Sequence, residues 1–536
     1  MLSDKYEDET WAYVKHGNVR TPVTHWENII GRSRSADIQL TNEKVSKVHA
    51  VLTRSDKGVW KLFDVFSKGG VWVNGQKVGG KGTEVRDGDV FNLAGVTLHF
   101  TVLSTERSKK LEKKRTSAGG RVSPAMTLIE LTIIQLFLLL QHVISAEKDY
   151  IVEIALSFAV IILLEWCCYY AMRVINRSGF ETETLAFYLT SLGLSVAASS
   201  VPENMFKQIC LILAAVLLFL ICGWWLRNLR RTAALRIPAA IAALGLLAVN
   251  LLISRETNGA KNWIELWGYS VQPSELVKFA YIYVGASTLD RLYMKKNLYV
   301  FIGFSALCVI MLAVMGDFGT ALVFFIAFLV IAFMRSGSLA TVLLAVSGAG
   351  MAGFLAVSIK PYIAQRFAAW GHVWEDAYNT GYQQTRAMSA AAGGGLIGKG
   401  AGAGWLQGVV AADTDMVFGV VCEEEGLIVA ICMVLAVLAL AFFAVRSARR
   451  GRSAFYAIAA CASVTMLLVQ LALNVFGSMD ILPFTGVTFP FVSRGGTSLL
   501  SCWMLMAFMK SADTRRGASF VVRPVEDSME SEASGK

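Results

Sequence analysis

Residues 427–445 read LIVAICMVLAVLALAFFAV, nineteen positions without a charge, and the next five, RSARR, carry three arginines. A helix rises about 1.5 Å per residue and a hydrocarbon core is about 30 Å thick, so this run has the length of a membrane crossing that ends at a basic surface. The pattern recurs. Working outward from it, twelve candidate spans fall near 126–146, 150–172, 182–200, 206–226, 234–253, 272–289, 298–315, 319–334, 338–358, 416–445, 454–478 and 488–509. With 536 residues, 55% of them apolar, and a mean hydropathy of +0.51, the composition excludes an ordinary soluble domain.

The formal charge of +10 does not point to nucleic acid, because the basic residues fall in short segments between apolar runs. They read as topology signals. With the N-terminus inside, Arg173 and Arg177; Arg227, Arg230 and Arg231; Arg291, Lys295 and Lys296; Arg335; Arg446, Arg449, Arg450 and Arg452; and Lys510, Arg515 and Arg516 all fall on the cytoplasmic side. Both termini are therefore expected in the cytoplasm. The first hundred residues show no charged-then-apolar leader, so insertion is expected to begin at an internal segment. All nine cysteines sit in or beside apolar runs without paired metal-ligand spacing, so neither a disulfide framework nor a zinc site is expected. No cofactor or metal is implied; nothing in the sequence indicates a divalent cation.

Residues 1–104 differ from the rest, with short alternating runs such as VWKLFDVF separated by turn signals such as NGQ and DGD. This is the period-two pattern of a β-sandwich. A basic linker follows over 105–124, suited to anionic lipid. The string IIGRSRSADIQLTNEKVSKVHAVLTR resembles the core of a forkhead-associated (FHA) domain, with Gly31-Arg32, Ser46 and His49 in an S-x-x-H pattern, and VNG at 73–75. The resemblance implies phosphothreonine binding to a phosphorylated protein through Arg32, Ser46 and Asn74, with His49 as a loop buttress. Where the family has Asn-Gly-Thr this chain reads Gly69-Gly70-Val71, which removes an expected contact to the peptide backbone.

Four further strings carry a second resemblance. NGAKNWIELWGYSVQPSELVKFA (258–280), GDFGTALV (316–323), GYQQTRAMSAAAGGGLIGKG continuing to TDMVFGVVCEEEG, and LPFTGVTFPFVSRGGTSLL (482–500) are similar to signatures of the SEDS family, the FtsW, RodA and SpoVE group. In that family the third string reads G-Y-Q…G-G-L-x-G-x-G…T-D-F-I-F…E-E-L-G. The resemblance implies a ten-helix polymerase core over 182–511 with a large outer loop at 359–415. The spans within 125–175 are then two additional transmembrane helices, expected to tether the sandwich, and 512–536 is a cytoplasmic tail expected to be disordered. The fold class is a multi-pass α-helical membrane protein of about twelve spans with an N-terminal all-β FHA-like sandwich.

The implied activity is a peptidoglycan glycosyltransferase that polymerises lipid II beside a class B penicillin-binding transpeptidase, in division, elongation or sporulation. A lipid-linked precursor flippase and a phosphopeptide-reading membrane scaffold without catalysis are the alternatives. Asp376 matches the catalytic aspartate of the family's D-P-x-x-x-G-Y-Q segment, with Ala377 and Asn379 as departures expected to loosen the loop. Glu375 reads as a solvated neighbour. Arg366, Arg386 and Lys399 are outer-loop cations suited to a diphosphate, Lys399 within a glycine-rich turn. Gln272, Ser274, Glu275 and Lys278 open the sixth span and read equally as substrate-cavity or structural residues. Asp317 is expected to cap a helix. Asp415, Glu423 and Glu424 match family carboxylates, for which internal hydrogen bonding is as good an account as chemistry. Arg494 replaces the family's tyrosine. Glu130, Glu153 and Glu165 are expected to mark a packing face of the added helices.

Overall fold

The computed structural model describes residues 10–513 apart from 25–26, 33–35, 55–57, 66, 80–81, 105, 108–122, 175–178, 228–231, 233, 255–259, 267–268, 290–294, 337–338, 360 and 450–453. Most of the basic linker, Arg177, Arg230, Arg231, Arg291, Arg450, Arg452, Arg515 and Arg516, and the tail beyond 513 lie outside the described residues.

Two sheets form the N-terminal unit. One runs in the order β2 (Val19–Val23), β1 (Ala12–His16), β11 (Val96–Val102), β10 (Val90–Leu93), β7 (Val71–Val73), β8 (Gln76–Lys77). The other runs β4 (Ile38–Gln39), β3 (Glu27–Gly31), β5 (Ala50–Arg54), β6 (Trp60–Asp64), β9 (Thr83–Val85). β11 shows the alternation directly, burying Val96, Leu98 and Phe100 while Thr97, His99 and Thr101 face out. These side chains meet Trp60, Leu62 and Phe91 between the sheets.

The remainder is helical: α1 (Pro124–Ser145), α2 (Ile151–Val174), α3 (Glu181–Ser200), α4 (Met205–Leu226), α5 (Arg236–Ile253), α6 (Pro273–Leu289), α7 (Lys295–Val314), α8 (Phe318–Ser336), α9 (Leu339–Ile359), α10 (Pro361–Ala369), α11 (Tyr382–Gly394), α12 (Ala412–Asp415), α13 (Val417–Glu424), α14 (Leu427–Arg449), α15 (Ala454–Ser478) and α16 (Gly496–Ala512). A helix occupies each of the twelve expected segments, and among the described residues six are long and apolar enough to cross a membrane by length and composition. α6 and α16, at 17 residues each, fall short. α16 is buried on every side, with Trp503 between Phe187, Phe219 and Phe491, so its surface is matched to protein.

Two boundaries differ from the sequence reading. The segment 416–445 is broken at Gly426, whose φ of +92° and closeness to Leu396 O leave no room for a Cβ, so α13 ends there and α14 begins anew. Its first amides, Leu427 and Ile428, donate to Gly395 O and Leu396 O instead of to a preceding turn. The last span begins at Gly496, because 482–495 is a loop threaded among the other helix ends. Of the three glutamates assigned to a packing face, only Glu165 is buried. Glu130 and Glu153 are exposed, since α1 and α2 pack through the opposite sides.

Candidate functional site

Asp376 sits in the turn between α10 and α11, part-exposed. Its carboxylate accepts three hydrogen bonds: Asn379 Nδ2 to Oδ1 at 2.8 Å, Thr380 N to Oδ2 at 3.2 Å, and Thr380 Oγ1 to Oδ2 at 2.9 Å. The Asn379 side chain foremost, then the Thr380 amide and hydroxyl, hold its pKa below the usual carboxylate value, because each bond favours the charged form. Asn379 therefore fastens the carboxylate, contrary to the loosening expected of it. The signal was present in the sequence: an Asp followed at three and four residues by Asn and Thr is a local side-chain-to-backbone turn. Gly381 closes the turn, as a Cβ there would lie 2.1 Å from Val373 O. Glu375 is exposed and meets His372 at 3.1 Å.

The three cations separate. Arg386, one turn into α11, lies over the rings of Tyr382 and Tyr378 at 5.1 and 5.8 Å, beside the Asp376 turn. Arg366 on α10 donates to Phe484 O at 3.3 Å, and its charge also reaches Asp415. Lys399 stands at the other end of α11, near Gly393, and pairs with the fully buried Glu423 at 2.7 Å. A 13-residue helix is about 20 Å long, so Lys399 and Asp376 do not serve one small ligand group.

The loop 482–495 gathers these parts. Trp370 Nε1 donates to Ile481 O, and Asn474 Nδ2 donates to Val487 O and Asp415 O. Ser493 Oγ reaches Thr414 O at 2.5 Å, and Gly486 abuts Asp415. Burial pushes the Asp415 carboxyl up to about 7, partly offset by the Thr414 hydroxyl and the Arg366 charge. Arg494 pairs with Asp413 through its guanidinium and its backbone amide, which gives the residue in the family's tyrosine position a definite partner.

At the start of α6, Gln272 Nε2 donates to Asp317 Oδ2 at 3.1 Å, and Asp317 Oδ1 accepts the Thr320 amide, capping α8. Lys278 and Glu275 form a buried pair at 2.6 Å. Ser274 Oγ and Glu275 Oε2 are buried without a hydrogen-bond partner among the described residues. Glu423 and Glu424 are tied into a lattice: Leu406 N and Lys399 on Glu423; Ser199, Gln407, Gly402 N and Gly404 N on Glu424.

In the sandwich, Arg32 is exposed with Nε 3.3 Å from Val45 O, and Ser46 Oγ accepts the Lys68 amide. His49 accepts the Ser46 amide and bonds Gly70 O at 2.9 Å, buttressing both loops. The Asn74 side chain donates from Nδ2 to Asp89 Oδ1 and accepts the Val90 amide, which holds the turn. A Cβ at Gly69 would lie 2.3 Å from that of Ala94, so the neighbouring hairpin occupies the space of the missing asparagine. Among the described residues no cluster of His, Cys, Asp or Glu could hold a metal.

A family model described as a cell cycle protein, FtsW/RodA/SpoVE, matches residues 185–517, and an FHA domain model matches 28–94. The chain is 31% identical over 350 residues to a probable peptidoglycan glycosyltransferase FtsW of Tolumonas auensis, covering 62% of this chain and 91% of that protein. It is 28% identical over 325 residues to the peptidoglycan glycosyltransferase RodA of Mycobacterium tuberculosis, covering 56% of this chain and 69% of the relative. A solved peptidoglycan synthase complex that coordinates polymerization and crosslinking contains a chain of the same fold, with a TM-score of 0.52 and 24% identity, covering 62% of this chain and 97% of that one.

Proposed function

This chain belongs to the FtsW/RodA/SpoVE family, and from that membership we propose that it polymerises lipid II into glycan strands, with Asp376 as the general base. It is a membrane protein carrying an FHA domain for phosphothreonine-dependent interaction. The observation that carries the role of Asp376 is its hydrogen-bond count. A carboxylate offers about four acceptor sites, and three are filled by Asn379 and Thr380, leaving one for an incoming hydroxyl. The same bonds keep it ionised, ready to take a proton.

The acceptor sugar hydroxyl attacks the anomeric carbon of the donor lipid II. A new C–O bond forms as the bond from that carbon to the lipid diphosphate breaks, and the hydroxyl proton passes to Asp376. Diphosphate leaves well, so cations replace a second carboxylic acid. Arg386 and Arg366 are suited to that charge, whereas Lys399 is neutralised by Glu423. Ser274 Oγ and Glu275 Oε2, two orphaned buried polar atoms, support a substrate path bordering the start of α6. We assign 1–104 to the FHA-like unit, 125–175 to the added helices and 182–511 to the polymerase, with both termini cytoplasmic and a class B transpeptidase as partner.

The test is incubation of purified protein with labelled lipid II. The parent makes glycan chains without added nucleotide, and Asp376→Asn makes none while expressing normally. Chain growth by Asp376→Asn near the parental rate removes the base assignment, and dependence on ATP points to transport.

A further inference from the structure

α1 and α2 precede residue 185, where the family model begins, yet they are built into the core. α1 buries Leu128, Leu131, Gln135, Leu138 and His142, spaced alternately by three and four, as one continuous seam. Two polar rungs cross from that seam to α3. Gln135 Nε2 donates to Ser191 Oγ and to Glu165 Oε2, both at 2.9 Å. One helix turn from the end of α1, His142 Nε2 lies 2.8 Å from Ser195 Oγ, and Ser195 Oγ donates to Glu425 Oε1 at 2.9 Å.

The second rung takes its direction from Glu425. With Glu425 ionised, the one hydrogen of Ser195 goes to that carboxylate, and the imidazole then donates to the serine oxygen. Imidazole N–H, hydroxyl and carboxylate stand in series, all buried, where such bonds strengthen one another. Glu425 occupies the position that is leucine in the family's E-E-L-G string. The chain thus adds a carboxylate to its core and answers it from a helix outside the family model.

Glu425 closes an acidic triplet whose other members hold the outer segment. Glu423 binds Lys399 and the Leu406 amide, and its carbonyl takes the Lys399 amide; Glu424 binds Gln407, and its carbonyl takes the Gly400 amide. α13, which carries Glu423 and Glu424, packs along α11, and Gly394 of α11 abuts Cys422 O. The end of α1 also meets this turn, Ser145 Oγ lying 3.5 Å from a Cβ position on Gly402.

We propose that His142 is a positioning residue for the polymerase: through Ser195 it fixes Glu425, and with it the 399–407 turn and the far end of α11, the helix that follows Asp376. The added helices are then part of the working core as well as a tether. The effect on rate rests on the lipid II reading; the effect on the turn does not.

The experiment uses the full-length protein in nanodiscs and compares the parent with His142→Leu, His142→Gln and Ser195→Ala. Backbone hydrogen exchange is followed without substrate, and kcat and KM are followed with labelled lipid II. In His142→Leu and Ser195→Ala the amides of Lys399, Gly400 and Leu406 should exchange at least tenfold faster, while those of α15 keep the parental rate. kcat should fall about tenfold with KM within twofold. His142→Gln, which keeps a donor for Ser195, should return exchange and kcat to within threefold of the parent. Unchanged exchange at 399–407 in His142→Leu overturns the proposal, as does a His142→Gln no better than His142→Leu. A parent that shows no turnover of lipid II, with exchange responding as stated, removes the polymerase reading and leaves the positioning of the turn in place.

Discussion

Asn379 donates from Nδ2 to Asp376 Oδ1 at 2.8 Å, so a residue that departs from the family's segment holds the carboxylate in place. Because this bond is the foremost cause of the lowered pKa of Asp376, Asn379→Ala should raise that pKa toward its ordinary value. A base works only when deprotonated, so activity is lost as pH falls through its pKa. The acid limb of kcat/KM against pH should therefore move to higher pH in Asn379→Ala, with the rate at pH 8 less affected than the rate at pH 5. An acid limb that stays at its parental position would show that the bond does not govern the base.

Glu275 and Lys278 form an ion pair buried at 3% and 1% exposure. Removing one partner strands the other charge, at a cost of about 3–5 kcal/mol, whereas removing both is far milder. Lys278→Met should lower the melting temperature of the detergent-solubilised protein more than the double variant Glu275→Gln/Lys278→Met does. Equal losses would mean that the pair is not coupled in this way.

Arg32 and Ser46 are neighbours in the sandwich, the Arg32 amide donating to Ser46 O at 2.9 Å, and the Arg32 side chain is exposed. A charge-assisted bond to phosphate contributes roughly 1.5–3 kcal/mol, or about a tenfold to hundredfold change in affinity. Arg32→Ala should weaken binding of phosphothreonine peptides by at least tenfold in a fluorescence titration and leave binding of unphosphorylated peptides unchanged.

Ala94 has a φ of +51° in the turn between β10 and β11, followed by Gly95 at +88°. Both values suit a tight hairpin in which glycine is favoured. Ala94→Gly should therefore stabilise the sandwich slightly, despite the added chain entropy. It also clears the Cβ that faces Gly69 at 2.3 Å. Gly69→Asn alone should lower the melting temperature without strengthening phosphopeptide binding, and Gly69→Asn/Ala94→Gly should bind more tightly than the parent.

The sequence by itself determined the two-part organisation, because a period of two and long uncharged runs are local patterns set by solvent on one face or on all. It also determined the family, and it offered Asp376 as the candidate base, because the motif around that residue lies within a few consecutive positions. Hydrogen-bond partners were partly legible: the three- and four-residue spacing from Asp376 to Asn379 and Thr380 lies within one turn, and so did the reach from Asp317 to Thr320.

Only the tertiary structure decided which charges are free. Lys399 and Arg386 look alike in sequence, but Lys399 is matched by Glu423, 24 residues away, while Arg386 rests on two exposed rings. The partners Arg494 and Asp413 are 81 residues apart, and Ser195 and Glu425 are 230 apart. Periodicity sees one helix at a time, so it reads neither the break at Gly426, imposed by Leu396 across the packing, nor the answer of His142 to Glu425. Those depend on which helices lie side by side, and adjacency is settled by the packing of the whole chain.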